Sequence, residues 1–242
     1  MENPGYIALS RQLTLRREMS VISHNLANMN TPAFKAERMI FREFIDKPEP
    51  QQPISFVQDI GMSRDLTEGP VAATGNPLDL AISGPGYFSV ETPDGVRYTR
   101  HGRLQLDGQG QLVNSQGAPV LSADGAPITV PVGSGALTIS ADGSITGNNG
   151  AIGQIGLSEF ENEAGLKRDA NGLYDAEDQQ PQAAANSSMV QGSLEQSNVQ
   201  PIVEMTRMID IHRSYQSASR LVSSNHEQAM RAINKLVRAR QG

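Results

Sequence analysis

The chain has 242 residues, a formal net charge of −6, 38% hydrophobic and 5% aromatic residues, and neither cysteine nor tryptophan. Without cysteine, disulfides and thiolate metal sites are excluded, and the lean apolar share suits a subunit that completes its burial by association. Residues 1–45 carry six basic and four acidic side chains, residues 199–242 seven and three, and the acidic middle seven and nineteen; the terminal positives alternate with apolar positions and lack interleaved aromatics, which favours helix faces over nucleic-acid contact.

The first element is a helix predicted from Tyr6 to Met29. Leu15, Met19, Ile22, Leu26 and Met29 step by four, three, four and three, the heptad pattern of helices that pack along one another. Asn25 and Asn28 lie beside this stripe, either as buried amides that fix the register of a helix seam or as surface amides. Asn30, Thr31 and Pro32 end the helix. A second apolar stretch (Met39, Ile40, Phe41, Phe44, Ile45) completes a helical assembly segment over 1–45. The run Lys47-Pro-Glu-Pro-Gln-Gln-Pro53 then reads as the heart of an extended linker over 46–60.

Arg11, Arg16, Arg17 and Glu18 interrupt every apolar run near the start, so no cleavable signal is expected. No stretch approaches the roughly 18 apolar residues of a membrane span. Any export would need a route that reads an uncleaved chain.

Residues 61–172 hold 20 of the 23 glycines. Short β-prone runs such as Tyr87-Phe-Ser-Val90, Gly95-Val-Arg-Tyr-Thr99, Gln111-Leu-Val113 and Ile128-Thr-Val130 alternate with glycine turns, which predicts hairpins in a β domain over 61–195. Ser-Ala-Asp-Gly occurs at 122–125 and 140–143 and reads as two similar turns. Asp175 to Ser188 reads as loop and Gly192-Ser-Leu194 as a final strand. Ser197 or Asn198 is expected to cap the last helix, with Pro201 in its first turn and its end near Arg238. Its stripe is Met208, Ile211, Tyr215, Ala218 and Val222, continued by Ala229 and Leu236. The C-terminal helical segment, 196–242, is expected to pack with 1–45 or with neighbouring copies. The fold class expected is α+β: coiled-coil-like amphipathic helices at both termini flank a mostly antiparallel all-β domain.

Chemistry is sparse. Gly84-Pro85-Gly86 opens like a dinucleotide loop, but Ser89 stands at the third glycine and a strand follows where a helix is needed. Asp107-Gly-Gln-Gly110 and the Ser-Ala-Asp-Gly turns lack the spaced oxygen ligands of a calcium loop. His24, His101, His212 and His226 show no i, i+4 pairing, and no Gly-x-Ser-x-Gly elbow is present. Glu159, Glu161 and Glu163 would share one face of a strand. No catalytic, cofactor or metal residue is assigned. An enzyme would have to rest on Asp79, Asp107 or His101, which read as turn and packing residues.

Several motifs nevertheless carry a specific resemblance. Ser23-His-Asn-Leu-Ala-Asn-Met-Asn-Thr-Pro-Ala-Phe-Lys35 resembles the N-terminal signature of flagellar basal-body rod and hook proteins. Asn76-Pro-Leu-Asp-Leu-Ala-Ile-Ser-Gly-Pro-Gly-Tyr-Phe-Ser-Val90, Tyr98-Thr-Arg-His-Gly102 and Asp107-Gly-Gln-Gly-Gln-Leu-Val113 are similar to its central motif. Glu195-Gln-Ser-Asn-Val199 with Glu204-Met205, Met208-Ile209 and Arg213-Ser-Tyr215 resembles its C-terminal signature. Ala33 stands where the family usually has Gly, which leaves open whether the backbone there is left-handed. His24, Leu104 and His212 also depart from the usual Asn, Phe and Gln.

The resemblance implies a non-enzymatic structural subunit whose terminal helices polymerise into the rod, a torque-transmitting shaft across the periplasm. Length and the opening Met1–Gln12 resemble proximal-rod members more than distal-rod members or the longer hook members. The partners implied are copies of the chain, other rod subunits and the flagellar export apparatus, with no nucleic acid, no membrane insertion and no cofactor. Residues expected at subunit contacts are Leu15, Met19, Ile22, Asn25, Leu26, Asn28, Met29 and Phe34 near one end. Asn198, Val199, Met205, Met208, Ile209, Ile211, Tyr215 and Val222 complete the set near the other. A reading of another class is a secreted β-rich binding or adhesin module that the helices merely oligomerise.

Overall fold

The computed structural model describes the backbone of residues 3–46, 54–169 and 171–239, and their side chains except at 3–7, 41–46, 54–60, 225, 226, 229 and 232–239. The chain divides into two compact units, one made of 1–27, 37–64 and 200–242, the other of 28–36 and 65–199.

In the first unit, α1 (Asn3–Ala27) is followed by strands β1 (Glu37–Asp46) and β2 (Ile54–Arg64). The last element of the chain, Pro201–Ala239, is a second long helix of the same unit. The two helices lie antiparallel. Ala8 and Arg11 share a cavity with Arg213, Ser217 and Leu221, whereas Glu18 and Ile22 share one with Glu204 and Arg207. The seven-residue pattern reappears as burial: Glu204, Ile211 and Ala218 are buried on one helix, and Ala8 and Ile22 on the other. Helices with narrow apolar stripes are marginal alone and gain their stability from such packing.

The apolar stretch at 39–45, grouped with the helix in the sequence reading, is strand. Ile40, Phe41, Phe44 and Ile45 are β-branched or aromatic, the residue types that favour strand. β1 pairs antiparallel with β2 from Glu37↔Arg64 to Asp46↔Ile54, with a bulge between Ile40 and Phe41. Residues 54–64, partly read as linker, therefore belong to this hairpin, while the proline run 47–53 lies outside the described residues.

The helix boundaries also differ slightly. α1 ends at Ala27 rather than Met29, and a turn closed by Thr31 N–H on Asn28 C=O (3.1 Å) follows. The C-terminal helix begins at Pro201. Its first backbone bond runs from Glu204 N–H to Gln200 C=O at 3.0 Å, so Gln200 holds the capping position and neither Ser197 nor Asn198 does. Ala229 and Leu236 fall among the side chains not described.

The second unit is built from fifteen short strands among the described residues. These are β3 (Val71–Ala73), β4 (Leu80–Ser83), β5 (Tyr87–Thr92), β6 (Gly95–Thr99), β7 (Leu104–Leu106), β8 (Leu112–Asn114), β9 (Thr138–Ile139) and β10 (Ser144–Gly147). There follow β11 (Gly150–Gln154), β12 (Leu157–Glu159), β13 (Lys167–Arg168), β14 (Tyr174–Asp175), β15 (Gln182–Ala183), β16 (Ser188–Gln191) and β17 (Ser193–Glu195). The helix Pro201–Ala239, which comes next, is α2.

The main sheet runs β13-β14-β6-β5-β12-β15 and its pairings are antiparallel. Late strands close on early ones: β16 pairs with β4 and β17 with β3. Leu80, Ile82, Phe88, Val90, Leu112, Val120, Ile145 and Ile155 form the centre of the core. A second cluster joins Tyr87, Tyr98, Phe160 and Tyr174 through edge-to-face ring pairs 4.7–6.0 Å apart. Both Ser-Ala-Asp-Gly segments are turns, closed by Gly125 N–H on Ser122 C=O and Gly143 N–H on Ser140 C=O. Residues 175–188, read as loop, contain the two-residue strand β15.

Candidate subunit interface

The helix pair of the first unit has two apolar faces with different fates. Ile22 and Ile211 are buried in the seam, and Leu15, Met19, Leu26, Met208, Tyr215 and Val222 are half-buried. On α2, Ile202, Met205 and Ile209 step by three and four and stand 81%, 47% and 53% exposed. At 100° per residue this row lies opposite the Ile211 stripe. On α1, Leu9 and Leu13 are similarly exposed, opposite Ile22. Leu9, Leu13 and Ile202 had no place in the sequence reading. The signal was available, because an amphipathic helix with a second apolar row cannot cover both rows with one partner helix.

Asn25 is spent inside the unit. Its carboxamide pairs with the backbone of Glu37, donating to the C=O at 2.8 Å and accepting from the N–H at 2.9 Å. Its Nδ2 also approaches Glu204 Oε2 at 3.4 Å, and Glu204 Oε1 accepts from Arg207 at 3.1 Å. The amide thus ties the start of β1 to the helix pair. Replacing Asn25 with leucine strands both backbone groups of Glu37 and is expected to cost about 2–3 kcal/mol. Urea unfolding and faster hydrogen exchange at the Glu37 amide check this.

In the second unit, the three sequence signatures meet at a buried ion cluster. Lys35 Nζ donates to Glu195 Oε1 at 2.7 Å and to Thr67 C=O at 2.8 Å. Arg100 Nε donates to Glu195 Oε2 at 2.9 Å, and its Nη1 donates to the carbonyls of Gly84 and Gly86 at 3.1 and 3.2 Å. Gly69 N–H completes the shell around Glu195 at 3.0 Å. Glu68 lies 3.7 Å from Arg100 Nη2. Lys35, Arg100 and Glu195 are each at most 5% exposed. Glycine is required at 69 because a Cβ there would overlap the Gln196 carbonyl.

Burial alone would raise the Glu195 carboxyl, but Arg100, Lys35 and Gly69 outweigh it and hold it below its ordinary range. Burial lowers the Lys35 ammonium despite Glu195 beside it. A depressed carboxylate contributes stability above its unfolded value and loses it as pH falls through the folded one. Stability is therefore expected to drop on acidification below the ordinary glutamate range, with a shallower slope in Glu195→Gln. Urea midpoints at about pH 6 and pH 3 test it.

Neighbouring motif residues are hydrogen-bonded into the same unit. Asn198 Oδ1 accepts from Ala36 N–H at 2.7 Å, and its Nδ2 donates to the carbonyls of Asp65 and Thr67. Phe34 and Val199 are buried together against half-buried Met29, with Arg168 4.7 Å over the Phe34 ring. Asn28, half-buried, accepts from the Thr31 hydroxyl at 3.1 Å. Ala33 has φ +57°, so the backbone there is left-handed without a glycine, with its N–H bonded to Glu195 C=O at 2.8 Å.

The candidate chemical residues have local duties. Gly84 and Gly86 lead into β5 and offer their carbonyls to Arg100. Asp107 Oδ1 accepts from the N–H groups of Gln109 and Gln111, closing a turn. Buried Asp79 accepts from Asn76 Nδ2 at 3.1 Å. Burial, then Arg103, lowers the His101 imidazole below its ordinary value. Glu159 ends β12, Glu161 lies in a turn and Glu163 begins a 3₁₀ turn, so the three do not share one strand. A groove of about 600 Å³ runs past Ser89, Ser158 and Asp142, whose carboxylate is engaged by the N–H and hydroxyl of Ser144. Among the described residues no group of three or more acidic or histidine side chains could hold a metal, and no helix is long and apolar enough to cross a membrane.

Family models match the chain in three places. One described as Flagella basal body rod protein covers residues 6–35, one described as Flagellar hook protein FlgE/F/G D1 domain covers 81–147, and one described as Flagellar basal body rod FlgEFG protein C-terminal covers 190–235. Over 241 residues the chain is 38% identical to the flagellar basal-body rod protein FlgF of Caulobacter vibrioides, covering 98% of each. It is 34% identical over 238 residues to FlgF of Mesorhizobium japonicum, again covering 98% of each. Against the rod protein FlgG of Bacillus subtilis it is 30% identical over 256 residues, covering 95% of this chain and 97% of the other. The matched segments contain the ion cluster's Lys35, Arg100 and Glu195 and the exposed row of α2. The chain belongs to the flagellar basal-body rod protein family and is most like FlgF.

Proposed function

We propose that this chain is a structural subunit of the proximal part of the flagellar rod, polymerising through its terminal helices into the shaft that transmits torque. The observation that carries the reading is the exposed row Ile202, Met205 and Ile209 on a helix whose other stripe already packs against α1. Fully burying one such side chain contributes about 1.5–3 kcal/mol. A heterologous contact repeated along a helical path multiplies that gain into a filament.

In this reading Ile22, Asn25 and Ile211 hold the helix pair together, while Met205, Ile209, Leu9 and Leu13 face neighbouring subunits in a coiled-coil-like tube. The partners are copies of the chain and other rod proteins, reached through the flagellar export apparatus, in the periplasm-spanning rod. Electron microscopy of purified basal bodies carrying a tagged copy tests it. Tag density on the rod below the hook is expected. Complete basal bodies with the tag absent from the rod would refute it.

A further inference from the structure

The ion cluster of the second unit is assembled from residues far apart in the chain. Glu195 is 160 residues from Lys35 and 95 from Arg100. Two cations therefore belong to the early part of the chain, and the carboxylate that touches both belongs to its late part. Glu68, the other acidic neighbour, reaches only Arg100, at 3.7 Å, and its side chain is about half exposed.

The segment that brings Glu195 in closes the unit in other ways too. β17 pairs with β3, with Leu194 opposite Ala72, and Glu195 C=O accepts from Ala33 N–H. Gln196 N–H donates to Pro70 C=O, and Gly192 N–H donates to Asp79 C=O. Arg100 follows directly on β6, a central strand of the main sheet, and its guanidinium holds the turn entering β5. Before Glu195 docks, native packing would force both cations out of water, Lys35 with no carboxylate in contact and Arg100 with only the half-exposed Glu68 at 3.7 Å. Unpaired buried charge is among the costliest defects a fold can carry. The alternative is to leave 31–36 and the end of β6 open to solvent.

We propose that Glu195 is the closing residue of the β unit, so that a chain emerging N-terminus first stays open until residue 195 has arrived and docked. The device is independent of the rod assignment: any N-to-C delivery, from a ribosome or through a channel, keeps the unit unlocked until almost all of it has passed. Long-range pairing already makes such a unit slow to close, and the stranded cations add a charge gate to that delay.

Hydrogen exchange read by mass spectrometry on the full-length chain tests this. Glu195→Gln is expected to speed exchange about tenfold or more across β4, β5, β6, β8 and β12 together, because the whole unit opens as one body. Removing one stranded cation in Glu195→Gln/Lys35→Met is expected to recover at least about threefold of that protection. If Glu195→Gln loosens only 31–36, 65–69 and 193–199 while the core strands keep wild-type protection, the closing role is wrong. If the single variant is unfolded throughout, the double variant decides: recovered protection supports the proposal, and a chain still unfolded overturns it.

Discussion

Replacing Arg100 with methionine is expected to destabilise the β unit by about 3–5 kcal/mol, seen as a lower urea midpoint at unchanged slope. The substitution keeps an unbranched apolar stem of similar reach and removes only the guanidinium. Glu195 then keeps Lys35 and the Gly69 N–H but loses its 2.9 Å partner, and the carbonyls of Gly84 and Gly86 lose their donor. The bonds to Glu195 and Gly86 are buried, so the desolvation already incurred there is no longer offset. A domain of this size has a total stability of about 5–15 kcal/mol, so the loss is a large fraction of it. Arg97 provides the contrast. Its pair with Asp175, at 3.1 Å, is partly open to water, so Arg97→Met is expected to cost under about 1 kcal/mol. Equal effects at the two arginines would show that burial is not what gives the cluster its weight.

The second large effect is on assembly rather than stability. Ile209→Asp is expected to leave the isolated chain within about 0.5 kcal/mol of wild type, because the side chain is 53% exposed and faces away from the helix seam. Incorporation into rods is expected to be lost, since a carboxylate buried at a repeated apolar contact carries a desolvation cost at every copy. Ile211→Asp behaves differently. That position is 8% exposed within the chain, so the substitution breaks the helix pair itself and lowers thermal stability as well as assembly. Comparing the two variants separates the intramolecular seam from the intermolecular face. Motility and basal-body yield report assembly, and circular dichroism melting reports the monomer.

What the sequence disclosed follows the range of the interactions involved. The terminal helices were legible because a seven-residue repeat is local, and it returns as the burial of Glu204, Ile211 and Ala218. The Asp-Gly turns were legible because Gly125 and Gly143 take left-handed backbone that few other residues tolerate. The β1–β2 hairpin was obscured because its second strand follows a proline run, and proline punctuation dominated the reading of 54–60. Capping was misplaced because Ser197 and Asn198 look like caps but bond elsewhere: Ser197 Oγ accepts from Val199 N–H before the helix begins, and Asn198 makes tertiary bonds to Ala36, Asp65 and Thr67.

The ion cluster was out of reach for a related reason. Lys35, Arg100 and Glu195 each stood in a quoted motif, and a single charged residue flanked by Phe34 and Ala36, or following Leu194, hints at burial. Which charge meets which is decided by pairings more than 90 residues apart, and no local pattern encodes those. The division of the helices into a spent seam and an open face was hidden likewise. The heptad showed that helices pack; whether the partner is the chain's own other end required the antiparallel arrangement of α1 and α2.

The most direct test of the assembly account is oxidative footprinting of the chain free and incorporated into purified basal bodies. Met205, Ile209, Leu9 and Leu13 are expected to react in the free chain and become protected in the rod, while Ile22 and Ile211 resist in both states. If Met205 and Ile209 remain as reactive in the rod as in solution, the exposed row of the terminal helices is not the polymerising surface.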